Sequence, residues 1–254
     1  MLETAGNFYI YSLAKSENMN KKTISNQSDN NIVLNKYLAY LLGVYLTDGY
    51  ISPIERKFSL QVIDRDFAEQ TLNAIRMISP SCMANIYERN NDKGAWNKNK
   101  QFCINAGFAK WDTLFFEQTL FKRKLPTIIY NAPPILKKWF VAGVMDGDGF
   151  ITFSRERQHE TSQWKIGLGK VEDGWILAFL EFMLNEGVKH HKVRRTITKN
   201  GVPFITLRFN HGDFIKNGFF FTIGRKQERL ERLKILLSKA QRLNTTRLLS
   251  EVKI

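Results

Sequence analysis

The stretch "VAGVMDGDGF", residues 141–150, sets two carboxylates, Asp146 and Asp148, among three glycines directly after an apolar run. A related stretch, "LLGVYLTDGY", stands at 41–50. The two share Gly43/Gly143, Val44/Val144, Asp48/Asp148 and Gly49/Gly149, each pair 100 residues apart. In a chain of 254 residues, a repeat on that scale reads as a duplicated fold.

The elements around the two stretches carry the repeat outward. "NKYLAYLLGVYLTDG" predicts a helix ended by Gly49. "KFSLQVI" alternates, with Phe58, Leu60 and Val62 on one face of a half-buried strand and Lys57, Ser59 and Gln61 on the other. Asp66 is expected to cap a helix, "FAEQTLNAIRMI". Two strands follow, "MANIYER" and "KQFCINA", around an Asn/Asp/Lys/Gly turn at 90–94, then a helix, "AKWDTLFFEQTL", leading into "FKRKLP". The second half predicts the same order: a helix at 136–148, strands near 150–156 and 163–169, and the helix "GWILAFLEFML". Strands near 189–198 and 203–210 and a helical stretch leading to "IGRKQERLERLKILL" complete it.

Spacing is kept as well. Phe102 lies 54 residues after Asp48, and Phe204 lies 56 after Asp148. The pairs Arg123–Lys124 and Arg225–Lys226 show the same two-residue offset. The expected fold is therefore α+β, built of two αββαββα halves. Residues 1–34, polar apart from "FYIYSLA", form an extension; the first half runs over 35–125, a linker over 126–137 and the second half over 138–254.

With 38 Lys+Arg against 24 Asp+Glu, the net charge is +14, a balance that points to a polyanionic partner. Nucleic acid leads over a membrane surface, because no basic amphipathic helix of the membrane-lying kind stands out. The longest apolar runs, such as 37–46, are too short to span a bilayer, and no signal-type segment opens the chain. The expectation is a soluble intracellular protein, its compartment open. Cys82 and Cys103 in strand-like stretches read as free thiols and exclude a disulfide framework. His159, His190, His191 and His211 lack metal-ligand spacing.

The nonapeptides "LLGVYLTDG" (41–49) and "VAGVMDGDG" (141–149) resemble those of the LAGLIDADG homing endonucleases, in the single-chain form with two motifs. The second is the closer match, since the first has Leu46 where the pattern usually has an acid; the repeat framework covers roughly 35–245. Physical reasoning agrees with the resemblance. A mid-helix glycine costs about 1 kcal/mol relative to alanine, which is sensible at Gly43 and Gly143 if two helices must touch backbone to backbone. Gly49 and Gly149 are expected to end those helices with positive φ. Side-by-side packing would then join Asp48 and Asp148. With terminal carbonyl oxygens, those of Thr47 and Gly147, they form an oxygen-only site suited to Mg²⁺, with Mn²⁺ or Ca²⁺ as substitutes. Asp146 reads as a cap or supporting group.

The resemblance implies further residues. Basic groups near each active site place Lys124 and Lys226 at the scissile phosphate, with Arg123 and Arg225 as rivals. A polar residue at the end of each half's second strand, in the family's water network, matches Asp64 and Lys170. Each sheet is expected to lie along the DNA major groove. The outward residues are Lys57, Ser59, Gln61, Asn85, Tyr87 and Arg89 in the first half. In the second they are Lys165, Arg194, Thr196, Thr198, Thr206, Arg208 and Asn210. The function implied is a monomeric endonuclease that makes metal-dependent double-strand breaks at a long, non-palindromic DNA target and mobilises an intron or other intervening sequence. The alternatives are an RNA maturase acting on intron RNA and a catalytically silent DNA-binding regulator on the same fold.

Overall fold

Asn35 opens α1 (Lys36–Leu46): its side-chain oxygen accepts from the backbone N–H groups of Tyr37 and Leu38, both at 3.0 Å. Such a cap satisfies donors that the first turn of a helix leaves unpaired. The computed structural model describes residues 33–52, 57–80, 82–89, 100–107, 122, 124–155, 162–171 and 174–251. The apolar piece near the N-terminus, the turn at 90–94, Arg123 and the helix expected over 109–120 lie outside the described residues.

After α1 come β1 (Tyr50–Ser52), β2 (Lys57–Val62), α2 (Arg65–Ile78), β3 (Asn85–Arg89) and β4 (Gln101–Gly107). A short helix, α3 (Thr127–Tyr130), and the first turn of α4 (Pro134–Gly147) fall in the stretch read as linker. The second half continues with β5 (Gly149–Arg155), β6 (Ser162–Val171), α5 (Gly174–Asn185), β7 (His190–Ile197) and β8 (Pro203–Phe209). It closes with α6 (His211–Lys216) and α7 (Gly224–Glu251). The two antiparallel sheets have matching orders, β1-β2-β4-β3 and β5-β6-β8-β7. The repeat in the sequence is thus a duplication of α+β halves.

Alternation decides which face of each sheet is covered. Phe58, Leu60 and Val62 of β2 are buried, as are Ile166 and Leu168 of β6 and Ile205, Leu207 and Phe209 of β8. Helix α2 buries Phe67, Ala68, Thr71, Leu72, Ala74 and Ile75, one stripe at helical spacing. Helix α5 inserts Phe179 between Phe140 of α4 and Phe209 of β8, ring centroids 6.4 and 6.3 Å away.

Helices α1 and α4 form the centre. Every residue from Leu38 to Leu46 is buried, and so is every residue from Phe140 to Asp146. A Cβ added at Gly43 would lie 2.3 Å from the Phe140 carbonyl oxygen, and one at Gly143 would lie 2.2 Å from that of Tyr40. No side chain fits at either place, so the two backbones meet there.

Two local expectations differ from what is observed. Among the described residues the glycines with positive φ are Gly187, Gly201 and Gly218, not Gly49 or Gly149. Space, rather than handedness, requires glycine at the helix ends. A Cβ at Gly49 would come within 2.8 Å of Tyr45 Cα, and one at Gly149 within 2.4 Å of the Met145 carbonyl oxygen. Nor does Asp66 stand at the N-cap, because α2 begins at Arg65 and Asp64 takes that place. One of its oxygens accepts from Phe67 N at 3.0 Å and the other from Gly224 N at 2.6 Å, in the opposite half. No helix among the described residues is long and apolar enough to cross a membrane.

Candidate active site

The touching helices end side by side. Helix α1 stops at Leu46 with Thr47 as its C-cap, and α4 stops at Gly147 with Asp148 as its C-cap. Gly147 is the residue over which the first half's end passes: a Cβ there would lie 2.2 Å from Thr47 Oγ1 and 2.7 Å from Asp48 Oδ2. Asp48 lies at the surface, yet protein crowds its carboxylate. That crowding, and then the charge of Asp148, push its pKa up to about 6. Two carboxylates and the last carbonyls of two helices thus share one small region.

Three lysines surround them. Lys170, at the end of β6, donates to Asp148 Oδ2 at 2.9 Å and to the carbonyls of Leu46 and Thr47, each at 3.1 Å. Its ammonium stands 5.3 Å from the ring centre of buried Trp175. Lys226, 5% exposed, donates to the carbonyls of Met145 at 2.9 Å, Asp146 at 2.6 Å and Gly147 at 3.4 Å. Burial lowers its pKa to about 8. Lys122 makes the corresponding bonds in the first half, to the carbonyls of Thr47 at 3.3 Å and of Gly49.

Lys124, the residue the repeat alignment selects, makes no hydrogen bond or ion pair with the described residues. Lys122 lies two residues earlier and carries a left-handed backbone, φ 69°. "FKRK" offers three bases in a row, and spacing alone does not say which of them turns inward.

Asp64 and Lys170, matched by the resemblance, lie at different places: Lys170 is inside β6, paired with Ile205, and Asp64 lies past the end of β2 as the N-cap of α2. Lys170 faces the carboxylates, whereas Asp64 pairs with Arg225: both Nε and Nη2 donate at 2.7 Å. That guanidinium holds the Asp64 carboxyl below its ordinary pKa. Arg225 is thereby engaged, which leaves Lys226 as the base of that pair turned to the helix ends. Asp146 is 2% exposed and accepts from Thr222 N at 3.0 and 3.1 Å, from Thr222 Oγ1, and from Tyr40 OH at 3.0 Å. Burial raises its pKa to about 6. It braces the segment that leads into α7.

The uncovered faces of the sheets hold most of the outward set. In the first half Ser59, Asn105 and Asn85 are aligned across three strands, and Gln61, Cys103 and Tyr87 form the next row. Ser59 Oγ donates to Asn105 Oδ1 and Asn105 Nδ2 to Tyr87 OH, both at 2.8 Å. Lys57 and Arg89 extend the same face at its two ends. In the second half Arg194 pairs with Thr206 and Lys192 with Arg208, while Lys165 and Thr196 belong to the same face. The rings of Phe150 and Phe204 lie against Gly167 and Gly169, 2.8 and 3.2 Å from an added Cβ. Two members lie elsewhere. Thr198 closes a turn with Val202, and Asn210 caps α6 by accepting from Asp213 N at 3.0 Å. Alternation continued past the strand ends cannot see either turn.

No protein-family profile matches the chain, and no curated protein matches it. Solved structures do. The homing endonuclease I-WcaI bound to its DNA recognition sequence is 16% identical, with a TM-score of 0.50, over 83% of this chain and 97% of that one. The LAGLIDADG homing endonuclease I-GzeII in complex with its DNA target is 12% identical, TM-score 0.46, over 82% and 92%. Full-length DUF199/WhiA from Thermatoga maritima is 13% identical, TM-score 0.48, over 91% and 74%. The chain has the two-half fold of the LAGLIDADG homing endonucleases.

Proposed function

We propose that this chain is a site-specific DNA endonuclease that makes Mg²⁺-dependent double-strand breaks. The observation that supports it most is the convergence of Asp48 and Asp148 at the joined helix ends, close enough for one charge to raise the other's pKa. Two acids held together, with carbonyl oxygens beside them and, among the described residues, no metal-binding cluster of sulfur or imidazole, fit a hard divalent cation. Asp48 and Asp148 would hold it, with the carbonyl oxygens of Thr47 and Gly147, in place of the Lys170, Lys122 and Lys226 ammoniums that now bond Asp148 and those carbonyls. When bound, it supplies Lewis-acid stabilisation of phosphodiester oxygens and lowers the pKa of a water nucleophile.

The chain's own groups do the rest. Lys170, Lys122 and Lys226 set positive charge around the helix ends, where negative charge on a transferring phosphate develops. The first half's outer face offers amides and hydroxyls with Lys57 and Arg89 at its ends, and the second offers more arginines and lysines, with hydroxyls and phenyl rings. Those are partners for base edges, phosphates and thymine methyls. Because the faces differ, the target is non-palindromic. I-WcaI is a DNA-bound protein of this fold, and the reading extends double-stranded DNA to this chain as its partner, bound as a monomer. Intron mobility is the corresponding role.

The test is to incubate the protein with a randomised duplex library in Mg²⁺ and to sequence the ends produced. Double-strand breaks at one common, asymmetric sequence are expected. Enrichment of bound DNA without any break would replace this reading with a DNA-binding regulator on the same scaffold.

A further inference from the structure

The segment 222–226 is held by acids at nearly every residue. Asp146 takes the N–H groups of Thr222 and Ile223, the latter at 3.4 Å. Asp66 takes that of Gly224 at 2.6 Å, and Asp64 takes the Arg225 guanidinium in a fork of two 2.7 Å bonds. The next residue is Lys226, whose ammonium reaches the three last carbonyls of α4. The first turn of α7 contains no acid of its own. Its N-terminal donors, which favour negative charge, find Asp66 in the other half of the molecule.

A planar two-bond pair fixes direction as well as distance. The Asp64 side chain is 20% exposed and that of Arg225 51%, so the carboxylate end of the pair is sheltered and the guanidinium end is open to solvent. We propose that Asp64 and Asp66 of the first half are positioning residues for Lys226 of the second. They grip the start of α7 so that the lysine meets the helix ends at a set depth. This gives Asp64 a role besides the place in a water network that resemblance assigns to it, since each of its oxygens accepts one bond from Arg225. The consequence for catalysis rests on the nuclease reading; the grip itself does not.

Two arms test it. The first is lysine acetylation of the intact protein, read by peptide mass spectrometry with exposed Lys199 as reference. Wild-type Lys226 should label far more slowly than Lys199. Asp64→Ala, Asp66→Asn and Arg225→Lys should each raise Lys226 labelling by about tenfold or more, while circular dichroism shows the fold intact. Arg225→Lys guards against a misfolded Asp64→Ala, because it keeps the charge and loses only the fork. Unchanged labelling in all three variants would overturn the proposal.

The second arm uses a duplex selected by the wild type and follows each strand separately. Asp64→Ala and Lys226→Met should slow cutting of the same strand on the order of a hundredfold, with affinity in Ca²⁺ unchanged. Asp64→Ala should add nothing in an Arg225→Ala background. Equal slowing of both strands, or further slowing in that background, would make Asp64 a direct participant instead. If the wild type cut no DNA, the nuclease reading would fall and the labelling arm would still decide the grip.

Discussion

Gly143→Ala perturbs the contact on which the whole site stands. The added Cβ would lie 2.2 Å from the Tyr40 carbonyl oxygen and 3.0 Å from Val44 N. An unstrained carbon–oxygen contact needs about 3.3 Å, so α1 and α4 must part by about 1 Å or bend. Overpacking of this kind costs about 1–3 kcal/mol, and a clash with backbone belongs at the upper end. Against it stands the gain of about 1 kcal/mol that alanine has over glycine inside a helix. The net loss of about 2 kcal/mol corresponds to a melting temperature lower by about 4–8 °C in a chain of this size. Cleavage should suffer more. A displacement of about 1 Å at the helix ends moves Asp48 relative to Asp148, and misplacement on that scale costs about a hundredfold in rate. Thermal melts and single-turnover cleavage of a selected duplex would be compared with Gly107→Ala, whose Cβ meets nothing within 4 Å. A Gly143→Ala protein that melts above the wild type and cuts at the wild-type rate would refute the close helix contact.

Three other outcomes are expected. The Asp48 carboxyl has a pKa of about 6 in the fold against 3.8 ordinarily, so its ionised form weighs against folding. The contribution of the protonated carboxyl to stability is fullest below about pH 4 and is lost as pH rises through about 6. Without divalent cations Asp48→Asn should therefore melt higher than the wild type at pH 7.5 and not at pH 4; equal melting at both would contradict the crowding. Lys122→Met should slow cleavage by bound protein strongly and Lys124→Met little, measured in single turnovers with saturating enzyme; the reverse order would restore the alignment's choice. The second half's strand segments (150–170 and 188–210) carry ten Lys/Arg and two acids, against six and three in the first (51–63 and 82–106). Scrambling the first half-site should leave binding that falls steeply with salt, as phosphate contacts do. A steeper salt dependence after scrambling the second half-site would place the electrostatic affinity in the wrong half.

The sequence made the duplication legible because two physical requirements leave marks in it. Glycines at 43 and 143 mark backbones that touch, and strict alternation in β2 and β8 marks sheets covered on one side only. What stayed hidden depends on contacts between the halves. Asp66 reads locally as the cap of α2, and nothing nearby in the chain shows that Gly224, 158 residues away, takes its carboxylate. Resemblance matches Asp64 with Lys170, but one lies past the end of β2 and the other inside β6, and their partners differ: Arg225 in one case, Asp148 in the other. Lys122 was concealed by its own neighbours, since a run of bases hides which one a left-handed turn aims inward. Gly49 and Gly149 show a related ambiguity. Glycine at a helix end signals positive φ or a lack of room, and here the cause is room.

The most direct measurement of the central claim follows strand breaks in one selected duplex, with Mg²⁺ and with chelator, for the wild type, Asp48→Asn and Asp148→Asn. The account predicts double-strand breaks by the wild type in Mg²⁺ alone. Neither variant should break either strand efficiently, although both should hold the duplex in Ca²⁺ with near wild-type affinity. Cleavage by either variant at close to the wild-type rate, or by the wild type in chelator, would contradict it.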